Sequence, residues 1–210
     1  MWCKMRCLCA FSLLLLASAT NANWVEDVVG HVGGMFHSYE EPPFSVDARH
    51  AGYEERTYPA KKWVCSKEES DDGTQIMEHL FWRLFRYIDG ENVQEVKIPM
   101  TVPVTTEFTA LREMNSFKMC FFIPEKFQNN PPTPTNAKIA VTLRPEITVF
   151  TRTVGGYMTT ASDWLSEAAS LSELVEADGI KVSLVHMFWV GYDAPLKFWN
   201  RRNEVWFPKV

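Results

Sequence analysis

The spacing of apolar positions repeats one plan twice along the chain. Residues 44–50 alternate, with Phe44, Val46 and Ala48 on one side, as in a strand that buries a single face. Residues 53–67 read as a longer strand with an irregularity at Pro59. From 74 to 88 the period becomes helical: Ile76, Leu80, Leu84 and Ile88 recur every four residues, with Asp71 and Asp72 near the start and Gly90 past the stop. Residues 97–108 and 117–123 read as two more strands. A Pro-rich connector, 129–136, separates the halves. Strands at 138–143 and 146–153 follow, then a helix over 162–177 stopped by Gly179, then strands at 181–192 and 204–209. Corresponding elements lie about 86 to 91 positions apart.

This pattern predicts an α+β fold of duplicated strand-strand-helix-strand-strand units, with halves at about 44–128 and 137–210. Two short helices cannot cover both faces of eight strands. The expected solution is a distorted antiparallel β-barrel flanked by the two helices.

The first residues follow another logic. Lys4 and Arg6 precede an apolar run over 8–17, and Ala17-Ser18-Ala19 fits a small-residue cleavage pattern. The sequence predicts a signal peptide over 1–19, with cleavage as late as 22 as the alternative, and an N-terminal extension over 20–43. Its apolar core is about half the length of a spanning helix. The expected setting is secreted, with no stable membrane insertion. Cleavage removes Cys3, Cys7 and Cys9 and leaves Cys65 and Cys120, either as one disulfide or as two buried thiols. It also leaves 19 basic against 26 acidic side chains, a balance that argues against nucleic acid as a partner.

No phosphate-cradling loop, nucleophile elbow or paired metal motif occurs, so the sequence gives no ground for an enzyme. Trp82, Trp164, Trp189, Trp199 and Trp206 read as core or stacking residues, and Arg201-Arg202 as a loop bonded to the barrel rim.

Several blocks do carry a resemblance. They are Tyr53-Glu54-Glu55-Arg56, Tyr87-Ile88-Asp89-Gly90-Glu91-Asn92, Lys97-Ile98-Pro99-Met100-Thr101-Val102-Pro103-Val104, Gly191-Tyr192-Asp193-Ala194-Pro195, and Asn200-Arg201-Arg202-Asn203-Glu204-Val205-Trp206. In this order and spacing the chain from 44 onward resembles the SOUL/heme-binding family. The resemblance implies non-catalytic binding of heme or free porphyrin in an apolar groove beside the first helix, with basic side chains meeting the propionates. Spacing sets Met77, Phe81 and Phe85 as a second row beside Leu84, and Arg86 aligns with a basic family position, so Met77, Phe81, Leu84, Phe85 and Arg86 are the candidate groove residues; the expected role is an extracellular tetrapyrrole carrier or buffer acting as a monomer. Arg83 is a second basic position on that helix, and a guanidinium suits a carboxylate through paired hydrogen bonds.

Two departures weaken the family pattern. A basic groove position is Glu78 here, and a proposed iron-ligating histidine after the Tyr-Glu-x-Arg segment is Thr57. His79 is then the remaining axial candidate on the helix, one position from the Met77/Phe81 row. Burying about 400 Å² of apolar ring gives about 10 kcal/mol gross. Association costs at least ~4 kcal/mol of it. Binding without an iron ligand therefore falls near tens of micromolar, non-covalent and weak.

A second reading stays open: a secreted protein-interaction or signalling module with a vestigial porphyrin site. Glu78 and Thr57 favour it, and the amphipathic second helix, with Leu165, Ala168, Leu171, Leu174 and Val175, is where a partner would dock.

Overall fold

The structure, a computed structural model, describes residues 39–71, 73–193, 197 and 199–209. The expected signal peptide, most of the N-terminal extension, His31, His37, Asp72, Ala194 and Pro195 lie outside the described residues. Nine strands run in chain order as β1 (Ser45–Arg49), β2 (Glu54–Tyr58), β3 (Lys61–Ser70), β4 (Val104–Thr109), β5 (Asn115–Phe122), β6 (Ile139–Arg144), β7 (Ile147–Val154), β8 (His186–Gly191) and β9 (Asn203–Pro208). Among the described residues three helices accompany them: α1 (Gly73–Ile88), the short α2 (Glu125–Gln128) and α3 (Ala161–Ala177).

The strands form one antiparallel sheet in the order β1-β2-β7-β9-β8-β4-β5-β3-β6. Exchanging the halves (β2 for β6, β3 for β7, β4 for β8, β5 for β9) reverses this order from β2 onward and reproduces it. A pseudo-twofold axis therefore passes between β4 and β8, and β1 stands outside the repeat. α1 packs on β3 and β5, and α3 packs on the equivalent β7 and β9.

Connectivity forces the sheet to curl. β2 is second in the sheet and β3 eighth, yet only Pro59 and Ala60 join them. Such a link spans at most about 11 Å, whereas six strand spacings in a flat sheet need about 29 Å. Pro145 and Glu146 make the matching corner between β6 and β7. Proline cannot donate to a ladder, so both strands stop at the corner. Arg144 shows which face is concave: from the edge strand β6 it reaches Thr105 on β4 at 2.9 Å and lies 5.4 Å from the Phe188 ring on β8. The result is an open, curled barrel with both long helices on its outer face.

This topology corrects three expectations. The strand over 53–67 is two strands at opposite ends of the sheet, because Pro59 is a corner and not a bulge. Phe44 and Val46 are exposed on the edge instead of facing a core, since β1 has a neighbour on one side only. Residues 97–103 and 181–185 are not strand, and the paired segments begin only at Val104 and His186.

Side chains alternate between two buried faces. On β8, Met187 and Trp189 lie under the helices while Phe188 and Val190 point into the barrel. Leu80, Leu84 and Tyr87 of α1 and Ala168, Leu171 and Val175 of α3 seal the outer core. Thr160 caps α3 through a reciprocal pair with Asp163, and Gly179, at positive φ, ends it.

Candidate functional site

The helix that carries the expected groove is held firmly at its C-terminal end. Gly90 turns the chain at φ 118°, a conformation that favours glycine. The buried Asn92 amide then donates to the carbonyls of Tyr87 at 3.0 Å and Val96 at 2.8 Å. The Tyr87 hydroxyl donates to the Pro132 carbonyl at 2.8 Å, which ties α1 to the Pro-rich connector. The family-like block over 87–92 is therefore a clamp that sets where α1 ends.

On α1 the apolar residues divide as the spacing suggests. Ile76, Leu80, Leu84 and Ile88 face the sheet, and Leu84 is 0% exposed. Leu84 therefore offers no surface to a ligand and acts as floor beneath the outer row. Met77, Phe81 and Phe85 are only partly buried against the core. The rings of Phe81 and Phe85 stack with centroids 6.0 Å apart. Trp82 is 44% exposed and meets both rings edge-on, at 5.6 Å from Phe81 and 5.5 Å from Phe85. The sequence read Trp82 as a core or stacking residue, and it is the stacking reading that the structure favours. Its place next to Phe81, off the Leu80/Leu84 row, is the signal that puts it outside.

The charged neighbours are distributed unevenly. Arg83 turns to the sheet, donating to Ser66 Oγ at 2.8 Å and pairing with Glu68, so it does not serve the outer face. Arg86 is 60% exposed and meets Glu91 at 3.3 Å, a loose surface pair that a stronger anion can displace. Glu78 is exposed one turn before Phe81 and Trp82. His79 is also exposed and shares a stripe with Trp82 and Arg86, three and seven residues on. Among the described residues no group of three or more His, Cys, Asp or Glu side chains could hold a metal ion. Thr57, on β2, bonds Asp47 at 2.5 Å and Thr148 at 2.7 Å, engaged within the sheet and away from β3 and β5, on which α1 packs.

Two other family-like blocks meet inside the barrel, which sequence reading did not anticipate. Glu204, 0% exposed, accepts from Arg56 at 3.1 Å, Arg202 at 2.9 Å, the Tyr192 hydroxyl at 2.9 Å and Trp206 Nε1 at 2.8 Å. Burial works against its charge, but Arg56 and Arg202 outweigh it and hold the carboxyl below its usual range. Burial pushes the Tyr58 phenol up to about 12 and raises Tyr192 well above its usual range, so both remain neutral beside it. The block over 53–56 and the block over 200–206 thus stabilise the barrel from within. Arg202 reaches inward to Glu204 instead of lying along the rim.

Cys65 and Cys120 face one another across β3 and β5, and a disulfide joins them. No helix among the described residues is long and apolar enough to cross a membrane.

Comparison with known proteins agrees with this architecture. The chain is 31% identical to heme-binding protein 2 of Homo sapiens, over 78% of this chain and 81% of that protein. It is 32% identical to heme-binding protein 1 of Sus scrofa, over 84% of this chain and 96% of that protein. In three dimensions it resembles the EcmrR C-terminal domain, with a TM-score of 0.57, 14% identity, and coverage of 74% of this chain and 95% of that one, a likeness of fold alone. The family model described as SOUL heme-binding protein matches residues 39–208, and the chain belongs to that family.

Proposed function

We propose that this protein binds heme or a related porphyrin without catalysing a reaction, and holds the ring against the outer face of α1. The observation that carries this reading is the incomplete burial of the Met77, Phe81 and Phe85 row, extended by Trp82. A flat macrocycle can cover these rings and remove their remaining apolar surface from water. Arg86 stands beside the row in a loose pair with Glu91, and a propionate offers it two parallel hydrogen bonds. The names of the relatives support the ligand class. The relatives do not fix the ring's position, which rests on the geometry of α1.

The chemistry expected is that of a carrier or buffer. Bound heme would supply an iron centre, and His79 is the side chain on this face able to approach it. Neither the exposed His79 nor the row beside it is built as a rigid axial site, so binding is expected to depend on the ring. An extracellular setting is part of the same proposal and is supported by the leader pattern at 1–19 and by the Cys65–Cys120 bond. Most of the apolar face of α3 is spent on the sheet, with Ala168, Leu171 and Val175 buried, Leu174 partly buried and Leu165 left exposed, which disfavours the interaction-module reading.

The deciding experiment titrates hemin and protoporphyrin IX side by side into the purified protein and follows tryptophan quenching. Saturable binding of both, within about tenfold of each other, is expected for weak ring-dominated binding. Absence of saturable binding by either would refute the proposal. Much tighter hemin binding would instead assign an axial ligand, with His79→Ala as its test.

A further inference from the structure

A cavity of about 620 Å³ opens on the concave face of the sheet, opposite α1 and α3. Its floor includes Cys65 of the disulfide and Ala140, and Lys67, Lys118, Lys138 and Glu107 surround it. Strand alternation puts these residues there: Glu107, Lys118, Lys67 and Ala140 point away from Phe108, Phe117, Val64 and Ile139, which face the helices. We propose that this cavity is a binding site for a small organic anion, a carboxylate carrying an apolar body, separate from the α1 face.

Charge arrangement is the main reason. Lys67 and Lys118 are direct cross-strand partners on one face, and like charges so placed repel unless an anion lies between them. Lys138 adds a third ammonium from the β6 side. Their carboxylate neighbours are shared or peripheral. Glu107, the carboxylate within the lining, is divided between Lys118 at 3.2 Å and His186 at 2.9 Å. Lys138 shares Glu68 with Arg83, and Lys67 lies 3.6 Å from the half-exposed Glu69.

Past the lining, on the same concave face, stands a further cation. Thr142 lines the cavity, and Arg144 follows two positions along the same face of β6. The Arg144 guanidinium lies 4.0 Å over the Trp63 ring and donates to Thr105 at 2.9 Å. Among the described residues it has no carboxylate at ion-pair distance. Burial pushes it down to about 10, an effect that the more distant Glu107 charge offsets only in part. A carboxylate among Lys67, Lys118 and Lys138 would relieve their mutual repulsion, and the disulfide and Ala140 would receive the apolar body. The volume falls within the range of small-molecule sites.

The test titrates 11-(dansylamino)undecanoate into the full chain and displaces it with laurate, dodecylamine or dodecanol. Saturable fluorescence enhancement reversed by laurate alone is expected. Two variants check the location without touching buried groups: Lys67→Glu with Lys138→Glu, and Ala140→Trp, which fills the floor. Each should weaken the probe by about tenfold or more, with hemin quenching unchanged, and Phe85→Ala should leave the probe unaffected. Absence of saturable enhancement, equal displacement by dodecylamine, indifference to all three cavity substitutions, or loss in Phe85→Ala would each overturn the inference. Hemin that ignores Phe85→Ala but fails with Ala140→Trp would refute the α1 placement and support the cavity as the anion site.

Discussion

Arg56 and Glu204 are 148 positions apart in sequence and 3.1 Å apart in the barrel interior. Each comes from a strand near β7, and together they fasten the first strands of the fold to its last. Replacing Arg56 with Met leaves the buried Glu204 without one of its two guanidinium partners. Breaking a buried pair from one side costs about 3–5 kcal/mol. The urea midpoint should fall accordingly, and an unchanged midpoint would show that Arg202, Tyr192 and Trp206 suffice alone.

The same carboxylate makes stability depend on pH in a definite direction. Despite burial, Arg56 and Arg202 hold Glu204 below its ordinary 4.5, and His186 and Lys118 do the same for Glu107. A depressed folded-state value means that folding is favoured fully above 4.5 and loses that contribution as pH falls through the folded value. Acid unfolding should therefore steepen below pH 4.5. Glu204→Gln should be less stable at neutral pH and show a flatter acid limb; an identical limb would assign the acid sensitivity elsewhere.

The features that spacing could read are local ones. The Leu80/Leu84 row and the Gly90 and Gly179 stops each depend on residues within a few turns, and all stand in the structure. The duplicated plan was also visible, because matching elements recur at a steady offset. Long-range pairing was not. Nothing near Pro59 tells whether the chain bends within one strand or crosses the barrel, since the answer depends on β7 and β6 far downstream. Likewise, nothing local in the blocks over 53–56 and 200–206 shows that Arg56 and Arg202 share Glu204 inside the barrel. Spacing left Trp82 between core and stacking because a helix with a wide apolar stripe has no sharp boundary between floor and outer row.

The Cys65–Cys120 bond closes a loop of 55 residues and lies between Trp63 and Phe122. On chain-entropy grounds such a cross-link contributes about 4 kcal/mol. Reductant should add two hydrogens to the intact mass under denaturing conditions and lower the midpoint of unfolding. The Cys65→Ser, Cys120→Ser double variant should be equally destabilised and indifferent to reductant. A midpoint that ignores both treatments would show that the β3–β5 ladder holds without the bond.

The outer face of α1 gives the most direct test of porphyrin binding, because its parts can be altered without opening the core. Phe85 is partly exposed and Arg86 is exposed, so Phe85→Ala with Arg86→Glu should leave the unfolding midpoint nearly unchanged while weakening hemin by tenfold or more, about 1.4 kcal/mol or above. Glu78 offers the opposite arm. It places a negative charge one turn from Phe81 and Trp82, where an anionic ligand must approach. Glu78→Lys removes that repulsion and adds an attraction, each of the modest size typical of exposed charges. Affinity for hemin should rise by about threefold, and the gain should shrink as salt shortens the screening length. A ligand bound elsewhere in the molecule would register neither change, so the two substitutions moving hemin affinity in opposite directions, at constant stability, is the outcome that the α1 site requires.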